Sequence, residues 1–321
     1  MTRVAAVDCG TNSVRLLVAD VSAEASGELR DVVRRMEIVR LGQGVDRTGR
    51  LAAEAIERTR VALAGYAAEI AALGAQRVRM VATSATRDAA NAADFHAMVV
   101  RTLGVAPEVV SGDEEARLSF AGAVRGLPAD AVPPYLVLDI GGGSTEFVVG
   151  TGGPDGSGAG DVGGAAAVWG AVSVDIGCVR MTERHLHGDP PTPAQVAAAE
   201  ADISAAVDRA LAAVPGREAA TLVGLAGSVT TVAALALGLT GYDPVRIHHA
   251  RIPYRDVAKV TADLLGMARA QRLALPAMHP GRADVIAAGA LVLRVAMEQA
   301  GADAVVASEH DILDGIAWSL A

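Results

Sequence analysis

A chain of 321 residues, 51% hydrophobic and 20% charged, has length for one large domain or two of about 150 residues each. Its 28 basic and 37 acidic residues leave a formal net charge of −9, a poor match to nucleic acid. Lys259 is the single lysine, so a GxxxxGK[ST] phosphate loop is excluded. Two cysteines, Cys9 and Cys178, cannot build a disulfide scaffold. No charge-free run of about 18 apolar residues offers a membrane span. The start MTRVAAVDCG enters a strand-like run directly, so a cytoplasmic location is expected.

In chain order, Val4–Asp8 reads as a buried strand, followed by a glycine turn and strands at Val14–Val21 and Glu28–Arg40. Together these predict an antiparallel meander. Residues 52–73 have the spacing of an alanine-rich amphipathic helix. Val78–Ala82 is a short strand that runs into Thr83-Ser84-Ala85-Thr86 and a helix from Arg87 to Leu103. Another strand, Glu108–Val110, precedes the acidic helix start Ser111–Glu115. Pro128, Pro133 and Pro134 then break the pattern. This predicts one domain over 1–127, with the closing helix 311–321 packing on it, and a second over 128–310.

The opening theme returns after the break. Tyr135–Asp139 is a buried strand, Ile140–Ser144 a glycine turn and Thr145–Val149 a second strand, while the Gly-rich stretch 150–166 reads as a hairpin tip. DCGTNS at 8–13 and DIGGGSTE at 139–146 are thus two versions of one device, 131 positions apart. The duplication predicts an α/β protein of two similar halves facing a central cleft. A third turn, Leu225–Thr231, follows the strand Thr221–Leu225 and opens a helix.

These turns carry the candidate chemistry. A glycine turn between strands can aim several backbone N–H groups at one anion, and a missing Cβ lets a phosphate approach. In the second turn these are Gly141, Gly142, Gly143 and Ser144, with Asp139 placed to hold a divalent cation or its water shell. Ser84 and Arg87 surround a helix N-terminus after a strand, an anion site if it is more than an N-cap. Gly227 and Ser228 can be read the same way. Asp113, Glu114 and Glu115 complement a helix dipole, but one of three acids beside a bound phosphate could also activate water. His248, His249 and His310 belong to no larger ligand set, and structural or rim roles suit them better.

Seven segments together resemble the Ppx/GppA phosphatases: DCGTNSVRLLV, ATSATRDAAN, SGDEEAR, DIGGGSTEF, GCVRMTE, AGSVTT and RADVIAAGALV. The resemblance implies two ribonuclease-H-like, actin-like ATPase domains. It selects Glu115 as the catalytic carboxylate, gives Mg²⁺ or its waters to Asp139 and Glu146, and adds Asn12, Ser13 and Arg15 to the phosphate contacts. It implies a Mg²⁺-dependent exopolyphosphatase acting on linear inorganic polyphosphate. Rivals are guanosine pentaphosphate hydrolysis, an ATP-binding kinase of the same superfamily and a non-catalytic sensor. A homodimer is compatible with the family, whereas nucleic-acid and membrane partners are not expected. The family's long members carry a C-terminal helical module that is not seen before Ala321. Together with the net charge of −9, this predicts a preference for short chains.

Overall fold

The computed structural model describes residues 1–22, 29–152 and 167–321. These divide into two compact units, Met1–Gly122 with Asp311–Ala321, and Ala123–His310.

The first unit opens with the antiparallel meander β1 (Thr2–Cys9), β2 (Ser13–Val21) and β3 (Leu29–Ile38). Helices α1 (Val45–Thr48) and α2 (Ala53–Leu73) lead to β4 (Arg77–Ala82), which pairs parallel to β1. Then come α3 (Ser84–Arg87), α4 (Ala92–Leu103), β5 (Pro107–Val109) and α5 (Gly112–Val124). The sheet order is β3-β2-β1-β4-β5. Side chains alternate faces along a strand. Ala5, Val7 and Cys9 therefore pack with residues of α2 and α4, while Val4 and Ala6 pack with Ile312, Leu313 and Ile316 near the C-terminus. With both faces covered, β1 reads as a continuous apolar run.

The helix expected from Arg87 to Leu103 is two helices, α3 and α4, separated at residues 88–91. Asn91 explains the break. Its side chain accepts from the Leu51 N–H at 2.8 Å and donates to the Leu51 carbonyl at 3.1 Å, while the Ala90 N–H goes to the Gly49 carbonyl. Loop partners from far along the chain take groups that a continuous helix would have used.

The second unit repeats the pattern with β6 (Tyr135–Ile140), β7 (Thr145–Thr151) and β8 (Ala167–Val174), again antiparallel. Of the expected hairpin tip, 153–166 lie outside the described residues. Helices α6 (Cys178–His185) and α7 (Pro193–Ala213) precede β9 (Thr221–Leu225), which runs parallel to β6. After α8 (Ala226–Ala236) and α9 (Pro244–Ile247) come β10 (Arg251–Pro253), α10 (Tyr254–Gly266), α11 (Arg269–Leu273), α12 (Ile286–Ala300) and β11 (Ala304–Ala307). The order β8-β7-β6-β9-β11-β10 is that of the first sheet with one added edge strand. The expected duplicated α/β, ribonuclease-H-like pattern is present. No helix among the described residues is long and apolar enough to cross a membrane.

The last helix, α13 (Ile312–Trp318), belongs to the first unit and packs on β1 and β2. It meets α5 backbone to backbone at two glycines. A Cβ on Gly122 would strike the Asp311 carbonyl, and one on Gly315 would strike the Leu118 carbonyl. Neither obstacle is a flexible side chain. Gly315→Ala is therefore expected to destabilise the protein by about 1–3 kcal/mol, the usual cost of overpacking. Thermal melting followed by circular dichroism measures this, and an unchanged midpoint would show that the two helices separate freely.

Candidate active site

Each meander is joined at its first hairpin by the predicted glycine turn, and the two turns close identically. Gly10 N–H donates to the Ser13 carbonyl at 3.0 Å, and Gly141 N–H donates to the Ser144 carbonyl at 3.0 Å. A later segment then seizes the turn carbonyls. In the first unit Gly42 N–H holds the Thr11 carbonyl, and the Val39 and Arg40 N–H groups hold that of Asn12. In the second, Cys178 N–H holds the Gly141 carbonyl, and the Val179 and Arg180 N–H groups hold that of Gly142. A trans peptide points its N–H opposite its C=O. The N–H groups of Asn12 and Ser13, and of Gly142 and Gly143, thus lie on the other side of their turns. Close approach demands glycine at the clamps: a Cβ on Gly177 would sit 2.5 Å from the Gly142 carbonyl carbon and oxygen.

The aspartates before the turns meet different cross-strand partners. Asp8 pairs with Arg15, whereas Asp139 pairs with Glu146. Paired residues share a face with Cβ atoms about 4.5–5.5 Å apart. Arg15 donates from Nε (3.0 Å) and Nη2 (2.7 Å) to Asp8 Oδ2, and from Nη1 to Asp311. Its guanidinium is thus committed to carboxylates. Asp8 Oδ1 is buried without a hydrogen-bond partner. Burial pushes the Asp8 carboxyl above its ordinary pKa, with Arg15 pulling it back. Asp311 also caps α13, accepting from the Leu313 N–H.

Asp139 and Glu146 are both buried, and Glu146 accepts from the Ser173 hydroxyl at 2.7 Å. Two adjacent carboxylates suit a hard cation that keeps several waters, as Mg²⁺ does. No group of three or more His, Cys, Asp or Glu with ligand geometry occurs among the described residues, which a transition-metal cage would need. The three histidines cluster instead, His248 stacked on His249 and tilted against His310. His248 lies with ring centroids 3.6 Å from His249 and 4.4 Å from His310.

At the C-terminal ends of β1, β4 and β5, the expected residues of the first unit come together. Thr11 and Ser84 share a hydroxyl hydrogen bond of 2.9 Å, which ties the turn to α3. Arg87, at the end of α3, donates to the Val110 carbonyl (2.9 Å) and to Glu115 Oε2 (3.0 Å). The structure separates the three acids of α5. Asp113 pairs with Arg117 and Glu114 with Arg79, both on the surface, whereas Glu115 turns inward and is buried. In open α/β sheets this edge is where ligands bind.

Gly227 and Ser228 begin α8 at the corresponding edge of the second unit. Ser228 is buried against Gly289, whose added Cβ would meet its hydroxyl. Arg282 lies over Gly227 and donates to its carbonyl (3.1 Å) and to the Thr231 hydroxyl (3.2 Å). Thr145, the residue after the turn at 141–144, spends its hydroxyl on the Ile176 carbonyl. The sequence assigned no role to Thr11, Gly177, Arg180, Arg282 or Asp311. Arg180 and Arg282 do fall inside GCVRMTE and RADVIAAGALV, and that was the available signal.

A model of the Ppx/GppA phosphatase family matches residues 18–321. The chain belongs to this family and is a hydrolase. It is 53% identical to exopolyphosphatase 2 of Mycobacterium tuberculosis over 331 aligned positions, covering 100% of this chain and 99% of that protein. A solved exopolyphosphatase-like protein matches at 43% identity and TM-score 0.90, covering 99% of this chain and 98% of the other. The PPX-GPPA enzyme of Aquifex aeolicus matches at 31% identity and TM-score 0.78, covering 99% of each chain.

Arg15 provides a pH-dependent test. Arg15→Met leaves Asp8 and Asp311 buried without their guanidinium, a change costing about 3–5 kcal/mol. The Asp8 carboxyl, already raised by burial, then rises further above its unfolded value of about 3.9. A group raised in the folded state contributes its stability below the unfolded pKa and loses it as pH climbs through the folded pKa. The melting-temperature gap between variant and wild type should therefore narrow steadily from pH 7 towards pH 4. A gap independent of pH would separate Asp8 from the effect.

Proposed function

We propose that this phosphatase is a Mg²⁺-dependent exopolyphosphatase that removes terminal orthophosphate from linear inorganic polyphosphate. The observation that carries the reading is the inward turn of Glu115, alone among three adjacent acids, onto Arg87 at the ligand-binding edge of the first sheet. The 53% identity to an exopolyphosphatase along the whole chain supports the choice of substrate.

The chain's own groups divide the work. Glu115 is the general base that takes the proton of the attacking water. Arg87 holds its carboxylate and offers positive charge to a phosphoryl oxygen. In the first unit the N–H groups of Asn12 and Ser13 and the helix start at Ser84 donate to phosphate oxygens, and in the second those of Gly142, Gly143 and Ser144 and the helix start at Gly227–Ser228 do the same. Asp139 and Glu146 would hold Mg²⁺, which neutralises phosphate charge that repels the nucleophile. Arg15 serves this edge by holding Asp8 beneath the first turn. The net charge of −9 opposes retention of a long polyanion, so few cleavages per encounter and a preference for short chains follow.

Phosphate release from polyphosphate, guanosine pentaphosphate and ATP, each with Mg²⁺ and with EDTA, tests the reading. Release from polyphosphate that EDTA abolishes is expected. Preference for guanosine pentaphosphate, ADP formation with an acceptor, or binding without release would each replace it. Glu115→Gln should keep its melting temperature and lose at least ~100-fold in turnover. Near wild-type turnover in the folded variant would remove Glu115 from the chemistry. Asp139→Asn should shift the Mg²⁺ activation curve to higher concentration, and an unchanged curve would exclude it as a metal ligand. Partly digested long polyphosphate should run on a gel as a smear of intermediates. Full-length polymer beside orthophosphate alone would overturn release after few cleavages.

A further inference from the structure

The turn at 141–144 has three successive peptide planes whose N–H groups face one way because their carbonyls are held the other way. Backbone donors of α6 hold the first two: Cys178 N–H to Gly141 (3.0 Å), and Val179 and Arg180 N–H to Gly142 (2.9 and 3.0 Å). The third carbonyl, Gly143, lies beyond their reach and accepts instead from Nε of the Arg180 side chain at 2.7 Å. That plane carries the N–H of Ser144. The matching carbonyl in the first unit, Asn12, is held by two backbone N–H groups, those of Val39 and Arg40. One guanidinium in the second unit therefore stands where the main chain serves in the first.

The substitution matters because of what surrounds it. Gly142 and Gly143 lack side chains, so the backbone there is the least constrained in the turn. The plane between Gly143 and Ser144 is free to rotate its N–H away once its carbonyl is released. A charged donor also strengthens the bond beyond a neutral one and polarises the N–H on the far side of the same peptide. Arg180 is well placed for this duty. Its side chain is 12% exposed, with Asp175 Oδ1 3.8 Å from Nη2. The flanking Gly177 allows α6 to approach the turn.

We propose that Arg180 is a positioning residue of this phosphatase. Through the Gly143 carbonyl it orients and polarises the Ser144 N–H that donates to a phosphate oxygen. The inference rests on the phosphate-binding role proposed above for the turn.

Arg180→Met, Arg180→Gln and Arg180→Lys form the test, with orthophosphate binding by titration calorimetry read beside steady-state kinetics on polyphosphate. Positioning predicts that Arg180→Met loses roughly 10- to 100-fold in kcat/KM and weakens orthophosphate binding, the scale of one charge-assisted hydrogen bond. Arg180→Gln should lose less, and Arg180→Lys should recover most of the loss. If Arg180→Met fails to fold, the order of Gln below Lys still decides the matter. A lowered melting temperature with kcat/KM and phosphate affinity unchanged in all folded variants would overturn the proposal, leaving the exopolyphosphatase reading intact. Wild-type protein whose orthophosphate binding weakens in the Arg180 variants in the predicted order, yet which leaves polyphosphate whole, would keep this inference and remove that substrate. Wild-type protein that neither binds orthophosphate nor releases it would end both.

Discussion

A carboxylate buried at the end of a β-strand must meet positive charge or lose its own. The two copies of this hairpin meet that demand in opposite ways. In the first copy the cross-strand neighbour of Asp8 is Arg15, so the countercharge is built into the sheet. In the second copy the neighbour of Asp139 is another acid, Glu146. One residue, at one register position, separates a closed ion pair from a pair of carboxylates of the kind that receives a hard cation.

The ion pair of the first copy has structural consequences along the chain. Arg15 reaches beyond Asp8 to Asp311, which caps α13, and Arg34 on β3 reaches Asp314 at 2.6 Å in the same helix. Arg34 is raised far above its ordinary pKa: burial works against its charge, and Asp314, Asp311 and Asp31 more than offset that cost. Buried ion pairs add little net stability but penalise a missing partner heavily. Here they specify where the last helix docks, and the glycine contacts of α13 with α5 set how closely.

The two glycine turns follow a related logic. Their donor groups are main-chain N–H, which carry no sequence signature beyond glycine. Their orientation comes from elements that hold the carbonyls, residues 39–42 in one unit and 177–180 in the other. Thr11, Ser84, Arg87 and Glu115 extend the first turn into a chain of contacts. The acid proposed as the base is thereby held by the same unit that carries the first glycine turn.

The sequence by itself determined the duplicated turns, the alternation that buries both faces of each sheet, and the acidic start of α5. These are local: period-two burial, glycine punctuation and helix-start composition are written within a few residues. It also carried the resemblance through seven scattered segments. What it could not decide was how contacts between distant residues would use each side chain. The pattern places Arg15 beside the first turn, but its bond to Asp311, 296 positions away, is written nowhere in that pattern. Asp113, Glu114 and Glu115 are equivalent in a helix-start pattern; the resemblance singles out Glu115, and their partners Arg117, Arg79 and Arg87 show how the fold sets them apart. The helix expected after Arg87 broke because Leu51 claimed the side chain of Asn91. The three-residue strand β10 was too short to show a period. Local periodicity sets which face of an element is buried, but the partner of a charge or carbonyl is whatever the fold brings within about 3 Å of it, and only the tertiary structure decides that.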